Sequence, residues 1–112
     1  MELNKLEEIL GVEFRNKDLM RTALTHRSYI NENPDAGENN ERMEFLGDAV
    51  LELVITEFLY EKFPQKPEGE LTNLRASLVN ANILGKVTAD LEVNGFLLLS
   101  RGEAKDVGRA RQ

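Results

Sequence analysis

The 112-residue sequence predicts an all-helical single domain. Three observations support this prediction. Apolar residues recur at helical spacing along most of the chain, polar segments with proline or glycine separate the periodic stretches, and no alternating pattern persists long enough for a sheet. The length is sufficient for one hydrophobic core but not for two.

The amino-terminal part predicts two helices followed by a loop. The first helix is marked by four apolar residues: Leu3, Leu6, Ile9 and Leu10. Gly11 then provides a stop signal. A second helix begins near Asn16 or Asp18 and carries the apolar group Leu19, Met20, Ala23 and Leu24. The segment NENPDAGENN, residues 31–40, is polar and contains both proline and glycine, so it predicts a solvated loop.

A long helix follows this loop, and two shorter helices follow the long one. Asn40 has the chemistry of an N-cap, and the helix should run to about Phe63 because the residue before Pro64 resists helical geometry. After the loop QKPEGE, two apolar sets predict further helices: Leu71, Leu74, Leu78 and Val79, then Ile83, Leu84, Val87 and Leu91. Residues 96–99 allow one short strand. The last twelve residues, RGEAKDVGRARQ, predict a locally basic loop.

Composition narrows the classes of function. No apolar run approaches the ~18–20 residues that span a bilayer, and the acidic start argues against a signal peptide. The absence of cysteine excludes disulfides and fits a reducing cytosol, so we expect a cytoplasmic protein. With a single histidine, a metal site would depend on oxygen ligands, which favour Mg²⁺ or Mn²⁺. The net charge of −6 argues against nucleic-acid binding, although a basic groove can coexist with an acidic metal pocket.

The long helix carries four acids in residues 41–53, and no lysine in this stretch balances their charge. Glu41, Glu44, Asp48 and Glu52 fall within about an 80° sector of the helix surface. No basic residue occurs between residues 43 and 61. This part of the helix is otherwise mostly apolar, which predicts a mostly buried helix with one narrow polar stripe. Its apolar residues are Phe45, Leu46, Ala49, Val50, Leu51, Leu53, Val54 and Ile55.

We call these four acids the acidic stripe. The residues alone allow three interpretations of it. A solvated helix face is the general explanation of a carboxylate stripe. The helix dipole stabilises acids in the first turn, but Asp48 and Glu52 lie beyond it. A bound divalent cation would turn the i,i+4 repulsion into shared coordination, and Gly47 would allow close approach of a neighbouring element.

ERMEFLGDAVLEL, residues 41–53, closely resembles the signature of the ribonuclease III family, the Mg²⁺-dependent endonucleases that cut double-stranded RNA. Three further blocks resemble the same family in the same order: ALTHRSY, FP…EGELTNLRASLV and LLLSRGEAKDVGRARQ. The resemblance spans nearly the whole chain and implies the family's helical endonuclease fold.

The resemblance also implies roles for individual residues. Glu44 would coordinate the metal, and Asp48 would be the catalytic, metal-binding aspartate. Glu41 would be a further acid of the catalytic valley. Phe45 would insert into a partner subunit and so imply a homodimer, with ordinary core packing as the alternative. Glu68 would lie near the cleavage site, or would simply be an acid at a helix amino terminus.

The implied reaction is Mg²⁺-dependent hydrolysis of double-stranded RNA that leaves 5′-phosphate and 3′-hydroxyl ends, with Mn²⁺ as a possible substitute. No small-molecule cofactor and no membrane partner are implied. The candidate phosphate contacts are Arg101, Lys105, Arg109 and Arg111, for which a solubilising charge cluster is the alternative. His26 would be a structural or hydrogen-bonding residue.

The sequence departs from the family pattern at its end. The family's basic loop leads into a helix with a second aspartate and glutamate, and a double-stranded-RNA-binding domain usually follows. Neither occurs by Gln112. We therefore expect residues 1–112 to form an incomplete catalytic domain that is weakly active or inactive alone, with exposed apolar surface on the long helix. The alternatives are a non-catalytic dimerising or RNA-processing accessory domain of the same fold and an acidic interaction module without nucleic acid.

Overall fold

The computed structural model describes the backbone of residues 3–110 and the side chains of residues 3–105. This part of the chain contains seven α-helices, one 3-10 helix and no strand. The α-helices are α1 (Leu3–Leu10), α2 (Lys17–Ala23), α3 (Arg27–Glu32), α4 (Glu41–Lys62), α5 (Glu68–Leu78), α6 (Ala81–Asp90) and α7 (Arg101–Ala110), and the 3-10 helix is Val93–Phe96. The predicted all-helical fold is confirmed. Within the described residues, no helix is both long and apolar enough to cross a membrane.

The hydrophobic core is small and lies at one end of the molecule. Its buried members are Leu6, Met20 and Leu24. Partly buried residues pack around them: Leu3, Leu10, Val93, Phe96 and Leu97. The core therefore joins α1, α2 and the 3-10 segment, and no residue of α4 belongs to it. The radius of gyration is 16.5 Å, whereas a compact domain of this size has about 13 Å.

Polar contacts fix the geometry between α1 and α2. Helix α2 begins within the predicted region, and Asn16 caps it, since its Oδ1 accepts from the backbone N–H groups of Asp18 and Leu19 at 3.0 and 3.2 Å. The buried carboxylate of Glu7 accepts from Lys17 Nζ and from the backbone N–H of Phe14, both at 2.6 Å. The hydrogen bond from Lys17, with the smaller contribution of Phe14, lowers the pKa of Glu7 below its usual value of 4.5.

Helix α4 is far more exposed than the sequence predicts. Leu59 is its only buried residue, and α5 is the helix against which it packs most. Seven large apolar side chains of α4 are at least half exposed: Phe45, Leu46, Val50, Leu53, Val54, Phe58 and Tyr60. The prediction of a mostly buried helix is wrong. Apolar residues can be buried only where other elements cover them, and the described chain covers little of the surface of α4. The expected exposure of apolar surface on α4 is confirmed.

The carboxyl-terminal segment is helical where a basic loop was expected. Ser100 precedes α7, and its Oγ accepts from the backbone N–H of Glu103 at 3.2 Å. Ser100 and Glu103 have the spacing of a capping box. This local signal outweighs the two glycines and the high charge that favoured a loop.

Two smaller differences lie around residues 24–32 and 96–99. Helix α3 was not predicted, and it begins after His26, whose Nδ1 accepts from the backbone N–H of Ser28 at 3.1 Å. His26 is therefore a capping residue. The strand allowed at residues 96–99 does not form: the described chain has only an isolated parallel bridge between Thr25 and Leu98 there.

Candidate active site

The acidic stripe lies in the amino-terminal part of α4 and is open to solvent. Glu41, Glu44, Asp48 and Glu52 are all exposed. Glu44 and Asp48 are four positions apart on one helix, so their side chains are neighbours on the same face, with roughly 5–6 Å between Cβ atoms. The helix therefore presents two adjacent carboxylates to solvent.

Among the four acids of the stripe, Glu41 alone has a side-chain partner within residues 3–105. Arg27 Nη1 lies 3.3 Å from Glu41 Oε1, and both side chains are more than half exposed, so this ion pair contributes little to stability. In residues 3–105, no hydrogen bond or ion pair involves the carboxylates of Glu44, Asp48 or Glu52. The like-charge repulsion between neighbouring acids is therefore not relieved by side chains within the described chain.

The first turn of α4 is not capped by the residue that the sequence predicts. Asn40 occupies the N-cap position, but its side chain makes no capping hydrogen bond. Its Nδ2 instead donates to the carbonyl oxygen of Ala23 at 2.9 Å. Asn39 supplies the hydrogen bond at the helix start, because its Oδ1 accepts from the backbone N–H of Glu41 at 2.9 Å. The tandem asparagines at positions 39 and 40 were the only sequence signal of this arrangement.

Gly47 lies on open surface beside Asp48. A Cβ atom added at Gly47 would meet no atom within 4 Å in the described part of the chain. The expected close approach of a neighbouring element at Gly47 therefore does not occur within residues 3–105. The space next to the acidic pair is free for solvent or for another molecule.

The donor chemistry of the stripe suits a hard divalent cation, although the described residues supply only part of a coordination shell. Glu44 and Asp48 provide exposed carboxylate oxygens without protein partners, which are the ligands that Mg²⁺ prefers. Among the described residues, no group of three or more acids or histidines is arranged to hold a metal ion. The pair therefore fits two positions of an oxygen shell, and the other positions are left to water or to further groups.

An open groove lies beside the first turns of α4. Its volume is about 880 Å³, and Glu41, Phe45 and Leu46 are among its lining residues. Phe45 is 84% exposed. Residues 3–105 therefore provide no core packing for Phe45, the alternative account of this residue, while its role in a dimer stays a prediction.

The remaining candidate residues lie on other helices. Glu68 is an exposed acid in the first turn of α5, a position that the helix dipole favours. Arg101 and Lys105 are exposed on α7. The predicted phosphate contacts Arg109 and Arg111 have side chains outside the described residues. No hydrogen bond or ion pair in residues 3–105 joins these candidates to Glu44 or Asp48.

The sequence of this chain is similar to those of known proteins. A family model described as "Ribonuclease-III-like" matches residues 16–112. The chain belongs to the ribonuclease III family. Ribonuclease 3 of Carboxydothermus hydrogenoformans is 49% identical to it over 110 residues, which are 97% of this chain and 47% of that protein. Ribonuclease 3 of Bdellovibrio bacteriovorus is 50% identical over 99 residues, 88% of this chain and 42% of that protein. The resemblance inferred from the four sequence blocks is confirmed.

A solved structure supports the same assignment of fold. The nuclease domain of ribonuclease III from Campylobacter jejuni, whose structure shows flexibility in a region involved in dimer formation, superposes with a TM-score of 0.81 at 45% identity. The match covers 93% of this chain and 69% of that chain. The chain spans a little under half the length of the curated ribonuclease III relatives above.

Proposed function

We propose that residues 1–112 form most of the catalytic domain of a ribonuclease III-type endoribonuclease. The substrate is double-stranded RNA, such as ribosomal or messenger precursors, and hydrolysis leaves 5′-phosphate and 3′-hydroxyl ends. One observation carries this proposal: a chain of the ribonuclease III family presents Glu44 and Asp48 as adjacent, exposed and unpartnered carboxylates on α4. A cytoplasmic location, which the absence of cysteine fits, is part of the proposal.

The chemistry follows from the residues of α4 and α7. Glu44 and Asp48 would hold Mg²⁺, for which Mn²⁺ could substitute, and Glu41 lines the same face one turn earlier. Held there, the ion would supply a more acidic bound water and positive charge beside the phosphate. Arg101 and Lys105 offer cations to the RNA phosphates, together with Arg109, and Glu68 lies near the cleavage site. Double-stranded RNA is recognised mainly through its shape, 2′-hydroxyls and phosphates.

The proposed active form is a homodimer. Phe45 and the other exposed apolar residues of α4 form a surface that water solvates poorly, as is common at protein interfaces. The Campylobacter jejuni relative has a region involved in dimer formation, which supports the same assembly here. Each subunit then makes one cut in the duplex.

A cleavage assay tests the proposed function. The purified chain, in excess over a long duplex RNA, is incubated with and without Mg²⁺. We expect slow, Mg²⁺-dependent cleavage that falls at least a hundredfold in Glu44→Gln and in Asp48→Asn, since loss of even an outer-shell partner of a metal costs about 10–100-fold. Glu57→Gln is the matched control, because Glu57 is an exposed acid on the opposite side of α4.

Two results would contradict the proposal. One is cleavage that does not require a divalent cation, and the other is an equal rate in the unmutated chain and both active-site variants. Rapid Mg²⁺-dependent cleavage would show instead that the described carboxylates suffice and that the expectation of weak activity is wrong.

A non-catalytic accessory domain of the same fold is the second candidate. It is favoured by the absence, within the described residues, of any group of three or more metal ligands. This candidate predicts that RNA or partner binding survives Asp48→Asn and is independent of Mg²⁺. The acidic interaction module without nucleic acid loses support from the family membership.

A further inference from the structure

The amino-terminal half of α4 is held by polar contacts and by little packing, because Met43 is the only one of residues 41–50 that the described chain buries even partly. This half carries Glu41, Glu44 and Asp48, yet the buried residue of the helix is Leu59. At about 1.5 Å per residue, Leu59 lies roughly 22 Å along the axis from Glu44. A small tilt about this distant anchor would displace the acids by several ångströms. The position of the acids therefore depends on what fixes the start of the helix.

Asn40 makes the contacts that fix this start. Its backbone N–H donates to the carbonyl oxygen of Thr25 at 2.9 Å, and its side-chain Nδ2 donates to that of Ala23 at 2.9 Å. Its own carbonyl oxygen accepts from the backbone N–H of Glu44 at 2.8 Å. A single residue thus bonds to the end of α2 and to Thr25 on one side, and to the first turn of α4 on the other.

The residues to which Asn40 bonds, Ala23 and Thr25, flank a residue of the hydrophobic core. Leu24 is a core residue, and Thr25 is 2% exposed. Thr25 Oγ1 donates to the carbonyl oxygen of Arg21 at 2.6 Å. The backbone N–H of Leu98 donates to the carbonyl oxygen of Leu24 at 2.8 Å, which ties Leu24 to the segment before α7. Asn40 therefore connects the acidic end of α4 to the buried segment around Leu24 and Thr25.

We propose that Asn40 is a positioning residue for the carboxylates of Glu44 and Asp48. This inference rests on the proposed function, because it concerns the geometry of that same site. The side-chain amide of Asn40 is used for the bond to Ala23, and the helix start is capped by Asn39 instead. The side chain of Asn40 thus holds the start of α4 against α2, whereas the side chain of Asn39 caps the helix.

Three substitutions separate these two roles in the 112-residue chain. Asn40→Asp and Asn40→Ala both remove the donor to Ala23, and the aspartate keeps the residue's shape and suits a helix amino terminus. Asn39→Asp is the matched control, since it adds the same negative charge one residue earlier and preserves an oxygen acceptor for the N–H of Glu41. Only a positioning role distinguishes the two Asn40 variants from the control.

Hydrogen exchange, cleavage kinetics and thermal unfolding are then measured for each variant. In both Asn40 variants we expect the amide of Glu44 to exchange about tenfold faster relative to that of Leu59. Under saturating Mg²⁺ the cleavage rate constant should fall about tenfold or more with the KM for RNA nearly unchanged, because misplaced catalytic groups lose rate before they lose binding. The unfolding midpoint of Asn40→Asp should remain close to that of the unmutated chain.

Two outcomes would overturn the inference. One is exchange and rate constants that stay within twofold in both Asn40 variants, and the other is an equal loss in Asn39→Asp, which would identify charge as the cause. If the unmutated chain does not cleave duplex RNA, the proposed function fails for this chain. The exchange of Glu44 then decides the inference by itself: faster exchange in the Asn40 variants alone supports it, and unchanged exchange refutes it.

Discussion

Replacing Phe45 by alanine should weaken self-association without destabilising the monomer. Phe45 is 84% exposed in the described chain. Burying a Phe side chain fully is worth about 1.5–3 kcal/mol, so its burial at an interface contributes about 2 kcal/mol. A symmetric dimer buries two copies, which gives about 4 kcal/mol. Since 1.4 kcal/mol corresponds to a factor of ten, Phe45→Ala should raise the dimer Kd about a thousandfold.

Sedimentation-equilibrium ultracentrifugation across protein concentrations measures this change directly. The control is Val87→Ala, which truncates an exposed apolar side chain of α6 that does not line the groove beside Phe45. Urea unfolding of Phe45→Ala should give a free energy within about 0.5 kcal/mol of the unmutated chain, as expected for a surface substitution. An unchanged Kd in Phe45→Ala, or an equal weakening when Val87, a surface residue outside the proposed interface, is replaced by alanine, would refute the assignment of Phe45 to a dimer interface.

Two further predictions concern stability. The pKa of Glu7 is lower in the folded chain than in the unfolded one, so its stabilisation is complete above about pH 4.5 and is lost as pH falls through the folded value. Glu7→Gln should therefore flatten the acid side of the pH–stability curve measured by urea unfolding, and a curve of unchanged slope would contradict this. Gly47→Ala should raise the unfolding free energy by about 0.5–1 kcal/mol because the site is helical and open. A lower unfolding free energy of Gly47→Ala, measured by calorimetry, would contradict the open surroundings of Gly47.

The sequence predicted those parts of the fold that local patterns determine. Helical periodicity located α1, α2, α4, α5 and α6, and the start of α2 was placed near Asn16 or Asp18, where the structure has it. The four ordered blocks identified the family. The spacing of Glu44 and Asp48 placed both carboxylates on one face of α4, which the structure shows.

Features that depend on tertiary surroundings could not be predicted in this way. The apolar sequence of α4 indicated burial, but burial requires covering elements, and the described chain provides chiefly α5. Asn40 had the correct position for a cap, yet a carbonyl group 17 residues earlier competes for its side chain. By contrast, α7 was predictable in principle from the capping box formed by Ser100 and Glu103.

The proposed function depends most on a divalent-metal site that includes Glu44 and Asp48. Titrating the ¹⁵N-labelled chain with Mn²⁺ tests this site directly, because the paramagnetic ion broadens amide signals close to where it binds. We expect broadening to begin at residues 44–48 and to disappear in the double variant Glu44→Gln/Asp48→Asn, whereas Glu57→Gln should leave it intact. Broadening that is centred elsewhere, or that persists in the double variant, would show that Glu44 and Asp48 do not bind the metal.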